Sequence, residues 1–367
     1  MSGAIPRTSN DVTAEFLTTA LRQSGTIGPD TIVTAMTADP AGAGIGFIGE
    51  VAAFDLTYDG DATGAPSRVV AKFPTASPEI RAMMRPTRIY EREHRFYDEL
   101  ASETPIRTPE IYHITCETSS DEAVEEEYLL LMEDLGGLTI GDQLAGVSVD
   151  QAASALTGLA EHHARFWGGS GLEAVDFVPV INGELNQSGV PIYAGSLPGF
   201  LEVFAHALHP EMVPHAEAYG ESFLSLLDKL AAMPRTLVHF DYRADNLFFD
   251  ADGSVVVIDW QSISQGGGAA DVGYFLSQNL SVEDRREHED ALLHTYHDRL
   301  VASGVADYPF EQFFEDYRVG VMYGWIIPVF AVGSLDVSSE RAMALWTEVL
   351  ARVQAAIFDH NAHEHIN

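Results

Sequence analysis

Apolar positions repeat with two different periods along this chain. Up to about residue 131 they mostly alternate, as in "EVAAFDLTY" (50–58) and "SRVVAKFP" (67–74), with the turn-rich "DGDATGAP" between them. Alternation of this kind predicts half-buried strands joined by a loop. "EEEYLLLM" (125–132) reads as a further strand, and "EDLGG" after it as a hinge. One helix stands out in this part, "TRIYEREHRFYDELA" (87–101). Beyond it the period becomes helical, over about 148–167, 196–208, 214–232, 282–303, 308–326 and 337–360. The pattern predicts an α+β chain in two lobes: a small β-rich one over 1–131 and a larger helical one over 132–367. A ligand is expected where two such lobes meet.

One segment of the helical half breaks its rule. "VHFDYRADNLFFDADGSVVVIDW" (238–260) is apolar and strand-like, yet carries Asp241, Asp245, Asn246, Asp250 and Asp259. Asp and Asn are poor strand residues. "NLFFD", "ADG" and "SVVVID" read as a β-hairpin turning near Asp252-Gly253. Folding about that turn brings Asn246 within a residue or two of Asp259, with Asp241 five residues upstream in the entering loop. Two carboxylates and an amide oxygen are hard ligands, suited to Mg²⁺ rather than zinc. Asp250 and Asp252 belong to the far turn. Taken alone, all five acidic and amide positions also fit plain turn and cap residues.

Four other features bear on that choice. Gly44, Gly46, Gly49 and Val51 in "GIGFIGEV" match G-x-G-x-x-G-x-V. A dinucleotide-binding loop needs a helix directly after the glycines, whereas a strand-like stretch follows here, as in the phosphate-covering flap of kinases. A flexible glycine turn is the alternative. Lys72 in "VVAKFP" sits where a kinase strand carries its phosphate-pairing lysine; a lysine snorkelling from a strand end is the alternative. In the helix of 87–101, Ile89, Phe96, Tyr97 and Leu100 share a face with Glu93. A buried carboxylate needs a partner, and Lys72 is the candidate. Glu91, Asp98 and Glu99 fall on other faces and are expected in solvent. In "YLLLMEDLGG", the backbone of Met132 and Asp134 would meet an adenine edge. Glycine loop, strand lysine, helix glutamate, hinge, H-x-D-x-x-x-x-N (His239, Asp241, Asn246) and a strand ending in Asp259 appear in kinase order.

Composition narrows the partners. The 367 residues include 20 Lys and Arg against 55 Asp and Glu, a net charge of −35. No basic footprint for nucleic acid is visible. Such a field attracts cations or reflects a salt-adapted surface. No apolar run is long enough to span a membrane, and the N-terminal segment does not read as a signal peptide. The single cysteine, Cys116, allows no internal disulfide and fits a reducing, cytoplasmic setting. Paired histidines such as His206 and His209 lack an H-E-x-x-H or Cys companion for zinc.

On "GIGFIGEV", "VVAKFP", "EREHRFYDELA", "YLLLMEDLGG", "LAEHHARFW", "VHFDYRADNLFFD", "VVVIDWQ" and "GGGAADVGYFLSQ", the sequence resembles the aminoglycoside phosphotransferase and choline kinase-like superfamily. It is most similar to the branch holding ecdysteroid kinase-like and related bacterial phosphotransferases. The resemblance implies a bilobal protein-kinase-like fold and ATP-dependent phosphorylation of a small-molecule hydroxyl. It implies Asp241 as catalytic base, Asn246 and Asp259 as Mg²⁺ ligands, and Lys72 on the α- and β-phosphates with Glu93 as its ion-pair partner. It also implies His239 as a brace of the catalytic loop and Asp271 as the anchor of that loop from a helix start. One departure is Phe240, where the family has glycine. Protein kinases carry arginine there and a later Ala-Pro-Glu segment; both are missing, against a protein substrate. A catalytically silent nucleotide-binding module is the other reading. Neither the acceptor nor the oligomeric state is written in the sequence.

Overall fold

The computed structural model describes residues 5–39, 49–119, 121, 126–334 and 339–366. The chain divides into two units, one of residues 1–102 and 108–137, the other of 103–107 and 138–367. The division expected from sequence, after residue 131, would cut the strand Glu127–Glu133, whose ladder holds it in the first unit. The architecture is α+β, with the antiparallel sheet in the N-terminal part and the helices mainly in the C-terminal part.

The first unit runs α1 (Ala14–Gln23), β1 (Ile32–Asp39), β2 (Gly49–Asp59), β3 (Arg68–Pro74), α2 (Pro78–Met84), α3 (Ile89–Arg95), β4 (Ile111–Glu117) and β5 (Glu127–Glu133). The strands form one antiparallel sheet in the order β1-β2-β3-β5-β4. Alternation assigns its faces. Val69, Ala71 and Phe73 of β3 join Leu129 and Leu131 of β5 and Leu17 and Leu21 of α1 in one core. Val70 and Lys72 therefore point to the other face. There Tyr128 of β5 meets the rings of Tyr90 and His94 of α3. The sequence pattern offered one helix here, and the described residues form three α-helices. α1 was legible: Thr13 caps it by accepting from Phe16 N, and its apolar stripe falls at i, i+3 and i+4.

The second unit opens with β6 (Thr139–Ile140), α4 (Val149–Arg165), α5 (Glu184–Gln187), α6 (Gly189–Phe204), α7 (Met212–Ala232) and β7 (Arg235–Val238). It continues with β8 (Leu247–Phe249), β9 (Val255–Val257), β10 (Ser264–Gly267) and α8 (Ala269–Asn279). It closes with α9 (Val282–Ala302), α10 (Phe310–Gly324), α11 (Ile326–Ser334) and α12 (Glu340–Asp359). The helix expected over 308–326 ends at Gly324, and a separate α11 follows Trp325. Two small sheets carry the loops of interest, β6-β8-β9 and β10-β7. α8 and α10 cross in backbone contact: a Cβ on Gly320 would lie 2.1 Å from the Ala269 carbonyl oxygen, and one on Gly273 2.2 Å from the Gly320 carbonyl carbon. Only glycine permits that approach, and α8 is tied to the segment after β7 through Asp271, which accepts from His239 N and Phe240 N. Among the described residues, no helix is long and apolar enough to cross a membrane.

Candidate active site

In the first unit, register places Lys72 between Val51 of β2 and Leu130 of β5. Its Nζ donates to Glu93 Oε1 at 2.7 Å. Glu93 is buried, with 2% of its side chain exposed, so this bond answers a desolvation cost that an unpaired carboxylate could not meet. α3 continues as a π turn over Phe96–Leu100, and Phe96, Tyr97 and Leu100 are buried with Ile89. Glu91, expected in solvent, is buried too, where Arg88, just before α3, and Arg95 at its end reach it at 2.5 and 3.4 Å. Asp98 and Glu99 are exposed. Burial holds the His94 imidazole, beside Glu93, down to about 3.

Gly44 and Gly46 lie outside the described residues. Gly49 opens β2, where a Cβ would come within 2.9 Å of the Phe73 carbonyl oxygen. Met132 pairs with Val70 and Ile111 inside the sheet. Asp134 follows the end of β5; its carboxylate accepts from Gly136 N at 3.3 Å and lies 3.7 Å from Arg68 Nε.

In the second unit, the hairpin has Leu247 opposite Val257 and Phe249 opposite Val255. Gly253 takes the left-handed turn position at φ 87°, and Asp250 and Asp252 serve only the turn, accepting from Ala251 N and Ser254 N. The register continues one step beyond the strands, where Ile258 N donates to Asn246 O at 3.0 Å. Asn246 thus stands next to Asp259. The Asn246 side-chain nitrogen donates to the Asp241 carbonyl at 2.9 Å and to Asp241 Oδ2 at 3.1 Å. Both partners are acceptors, so the amide must present its nitrogen to them and turn Oδ1 away.

Asp271 anchors this loop. Its two oxygens accept from His239 N at 2.7 Å, Phe240 N at 2.8 Å and His163 Nε2 at 3.2 Å, and the carboxylate is fully buried. The His239 ring donates through Nε2 to the Ile258 carbonyl, which leaves Nδ1 to accept from Asp241 N. His239 therefore ties the loop to the end of the hairpin. Phe240 adopts φ 68°, a left-handed conformation that glycine takes freely and a bulky residue takes at a cost of about 1–3 kcal/mol. Three contacts offset it: the bond from Phe240 N to Asp271, a bond from Tyr323 Oη to the Phe240 carbonyl, and a ring stack on Tyr323 at 4.2 Å.

Asp241 collects Tyr274 Oη at 3.0 Å and Arg243 Nε at 3.4 Å on Oδ1, and Asn246 on Oδ2. Its side chain stays 19% exposed, reachable from outside. Burial raises its pKa and the Asp259 charge adds to the rise, against the opposing pull of Arg243, His239 and Tyr274. A carboxylate so placed is a stronger base than a solvated one. Arg243 also bonds Asp245 at 2.6 Å, and Asp245 accepts from Gln143 N. Of these second partners, Arg243 lies in the same loop, whereas Tyr274, Gln143 and Tyr323 come from distant parts of the chain and had no local sequence signal. Asp259 itself sits at φ 65°.

Among the described residues, no three His, Cys, Asp or Glu side chains form a metal cluster. Asn246 Oδ1 and the Asp259 carboxylate make a smaller, oxygen-only set. That set fits Mg²⁺, which binds through one or two carboxylates and takes its other ligands from water and substrate phosphates.

The sequence profile of the ecdysteroid kinase-like family matches residues 44–304. An uncharacterised kinase-like protein of Caenorhabditis elegans is 25% identical over 207 residues, 52% of each chain, so the match spans about half the length of that curated relative. A crystal structure assigned as an aminoglycoside phosphotransferase from Ralstonia eutropha JMP134 is similar over 96% of this chain and 98% of its own, at 19% identity and TM-score 0.53. The GDP complex of an aminoglycoside 2'-phosphotransferase-IIIa mutant covers 95% of this chain and 100% of its own, at 14% identity and TM-score 0.52. These likenesses establish the kinase-like fold, and the profile match over most of the length places the chain in the ecdysteroid kinase-like family.

Proposed function

We propose that this protein is an ATP- and Mg²⁺-dependent phosphotransferase acting on a hydroxyl of a small molecule. The observation that carries the reading is the loop in which Asp241, with a fifth of its side chain exposed, is held by Asn246 Nδ2 while Asn246 is laced to the segment bearing Asp259. Asp241 orients the acceptor hydroxyl and takes its proton. The acceptor oxygen forms a bond to the γ-phosphorus as the bond to the β,γ-bridging oxygen breaks, and ADP leaves. Asn246 Oδ1 and Asp259 would hold Mg²⁺, which supplies charge neutralisation on the phosphates. Lys72, fixed by Glu93, is assigned to the α- and β-phosphates, with Gly44, Gly46 and Gly49 covering them and the backbone of Met132 and Asp134 meeting the adenine. Such catalysis is mostly positioning and charge stabilisation.

The silent-module reading rests on Phe240. Against it, the Phe240 backbone takes the left-handed conformation open to glycine, and its N–H and carbonyl are both bonded. Calorimetric titration with ATP tests the nucleotide site. Tight binding that needs Mg²⁺ and weakens in Asp259→Ala supports it; ATP affinity indifferent to both the metal and Asp259 rejects it.

A further inference from the structure

A cavity of about 280 Å³ opens in the second unit, lined by the turn that follows α4, the start of β7, and β10 with the segment beside it. Its volume is at the low end for small-molecule sites. Leu172, Val175 and Val180 give it an apolar lining, and Glu173, Arg235 and Gln265 a polar one. Gly168 and Gly169, at φ 71° and 83°, turn the chain after α4. A Cβ on Gly169 would stand 3.5 Å from Arg235 Cδ. Arg235 is the first residue of β7, which runs on to His239. At about 3.3 Å per residue, roughly 13 Å of chain separates Arg235 from the start of the Asp241 loop.

Arg235 is unlike the other cations of this chain. Among the described residues, which include all 20 Lys and Arg, it alone has neither a hydrogen bond nor an ion pair. With 55 acidic residues in the chain, an arginine without a carboxylate is out of character. Glu173 lines the same cavity and, among the described residues, has no partner either. Two opposite charges thus share one small space without pairing to each other. Gln265 is buried, and its Nε2 donates to the Val178 carbonyl at 3.1 Å. Its main chain is held as well, its N–H donating to the Pro179 carbonyl and its carbonyl accepting from Ile181 N. The side chain is therefore fixed, with Oε1 left as an acceptor.

We infer that this cavity is a binding site for a free apolar α-amino acid. Arg235 takes the carboxylate, Glu173 and Gln265 Oε1 take the ammonium, and Leu172, Val175 and Val180 receive the side chain. The donor set selects the zwitterion. A plain carboxylate would answer Arg235 but set a like charge near Glu173, and a plain amine would leave Arg235 unanswered. A ligand of no net charge also enters a chain of net charge −35 without a penalty from the overall field. The inference does not rest on the phosphotransferase reading.

The test is calorimetric titration of the full chain near neutral pH, without nucleotide. The probes are L-leucine, L-valine and L-phenylalanine. 4-Methylpentanoate and 3-methylbutylamine serve as leucine without its ammonium and without its carboxylate. We expect saturable binding of at least one of the three amino acids, with both truncated analogues weaker than leucine by about tenfold or more. Arg235→Gln and Glu173→Gln should each weaken the amino acid by about tenfold. Both side chains are exposed, so both variants should keep the urea midpoint of the parent and report on the site rather than on folding. Absence of saturable binding by all three amino acids would overturn the inference. So would an analogue that binds as tightly as leucine, or an amino-acid affinity left unchanged in either variant, which would place any binding elsewhere on the molecule.

Discussion

Replacing Asp271 should loosen the His239–Asp241 loop in graded steps. Its buried carboxylate accepts three bonds, from the backbone of His239 and Phe240 and from the ring of His163. Asp271→Asn can keep its oxygen toward His239 N and His163 Nε2, but then its amide nitrogen faces the Phe240 N–H. One buried donor is orphaned, at about 1–3 kcal/mol. Asp271→Ala orphans all three donors of a buried charged network, at about 3–5 kcal/mol. Phe240 loses one of the three contacts that hold its left-handed backbone in either variant. Urea unfolding followed by tryptophan fluorescence measures the total, and Trp260, edge-on to His239 at 4.7 Å, reports near the loop. Amide exchange at His239 and Phe240 measures the local part and should accelerate in both variants. A loss below about 1 kcal/mol in Asp271→Ala, with exchange unchanged, would show that Asp271 does not anchor the loop.

Glu93→Gln leaves Lys72 facing a neutral amide and should lower turnover more than stability, with a cost of up to about 3–5 kcal/mol; equal turnover at saturating ATP would remove the pair from the machinery. Burial lowers the His94 pKa from 6.5 to about 3. Between those values the unfolded chain binds a proton that the folded chain refuses, so stability falls as pH falls through that window, by about 1.4 kcal/mol per pH unit for this group. His94→Phe keeps the ring against Tyr128 and should flatten that acid slope, seen in denaturation curves from pH 6.5 down to about 4; a slope identical to the parent would refute it. Gly320→Ala should destabilise by about 1–3 kcal/mol or more through overpacking of α8 on α10, where a Cβ meets Ala269 O at 2.1 Å; an unchanged urea midpoint would contradict that crossing.

What the sequence made legible was local in origin. The hairpin turn at Asp252-Gly253 set a register that carries Asn246 to Ile258, because two-residue periodicity leaves few alternatives. Helical spacing put Glu93 with Ile89, Phe96, Tyr97 and Leu100, and strand alternation put Lys72 on the opposite sheet face from Phe73. What stayed hidden depends on distance along the chain. The partners of Asp241 and Phe240 on α8 and α10 lie 33 and 83 residues away, and no local pattern signals such contacts. Glu91 was misplaced because exposure was read from helical faces alone, while Arg88 and Arg95 allow a charge to be buried. The short segment 103–107 belongs to the second unit although it lies within the sequence of the first. It does so through the parallel bridge of Arg107 with Val256, which no periodicity announces.

The central claim is that Asp241 receives the proton of an acceptor hydroxyl during transfer from ATP. ADP formation with Mg·ATP across a panel of alcohols, comparing the parent with Asp241→Asn, tests it most directly. The account predicts acceptor-dependent ADP and a phosphorylated alcohol from the parent. It predicts neither from Asp241→Asn, even though that variant still binds Mg·ATP. Tight Mg·ATP binding by both, with no acceptor-dependent ADP from the parent across the whole panel, would contradict it and leave a nucleotide-binding module without transfer activity.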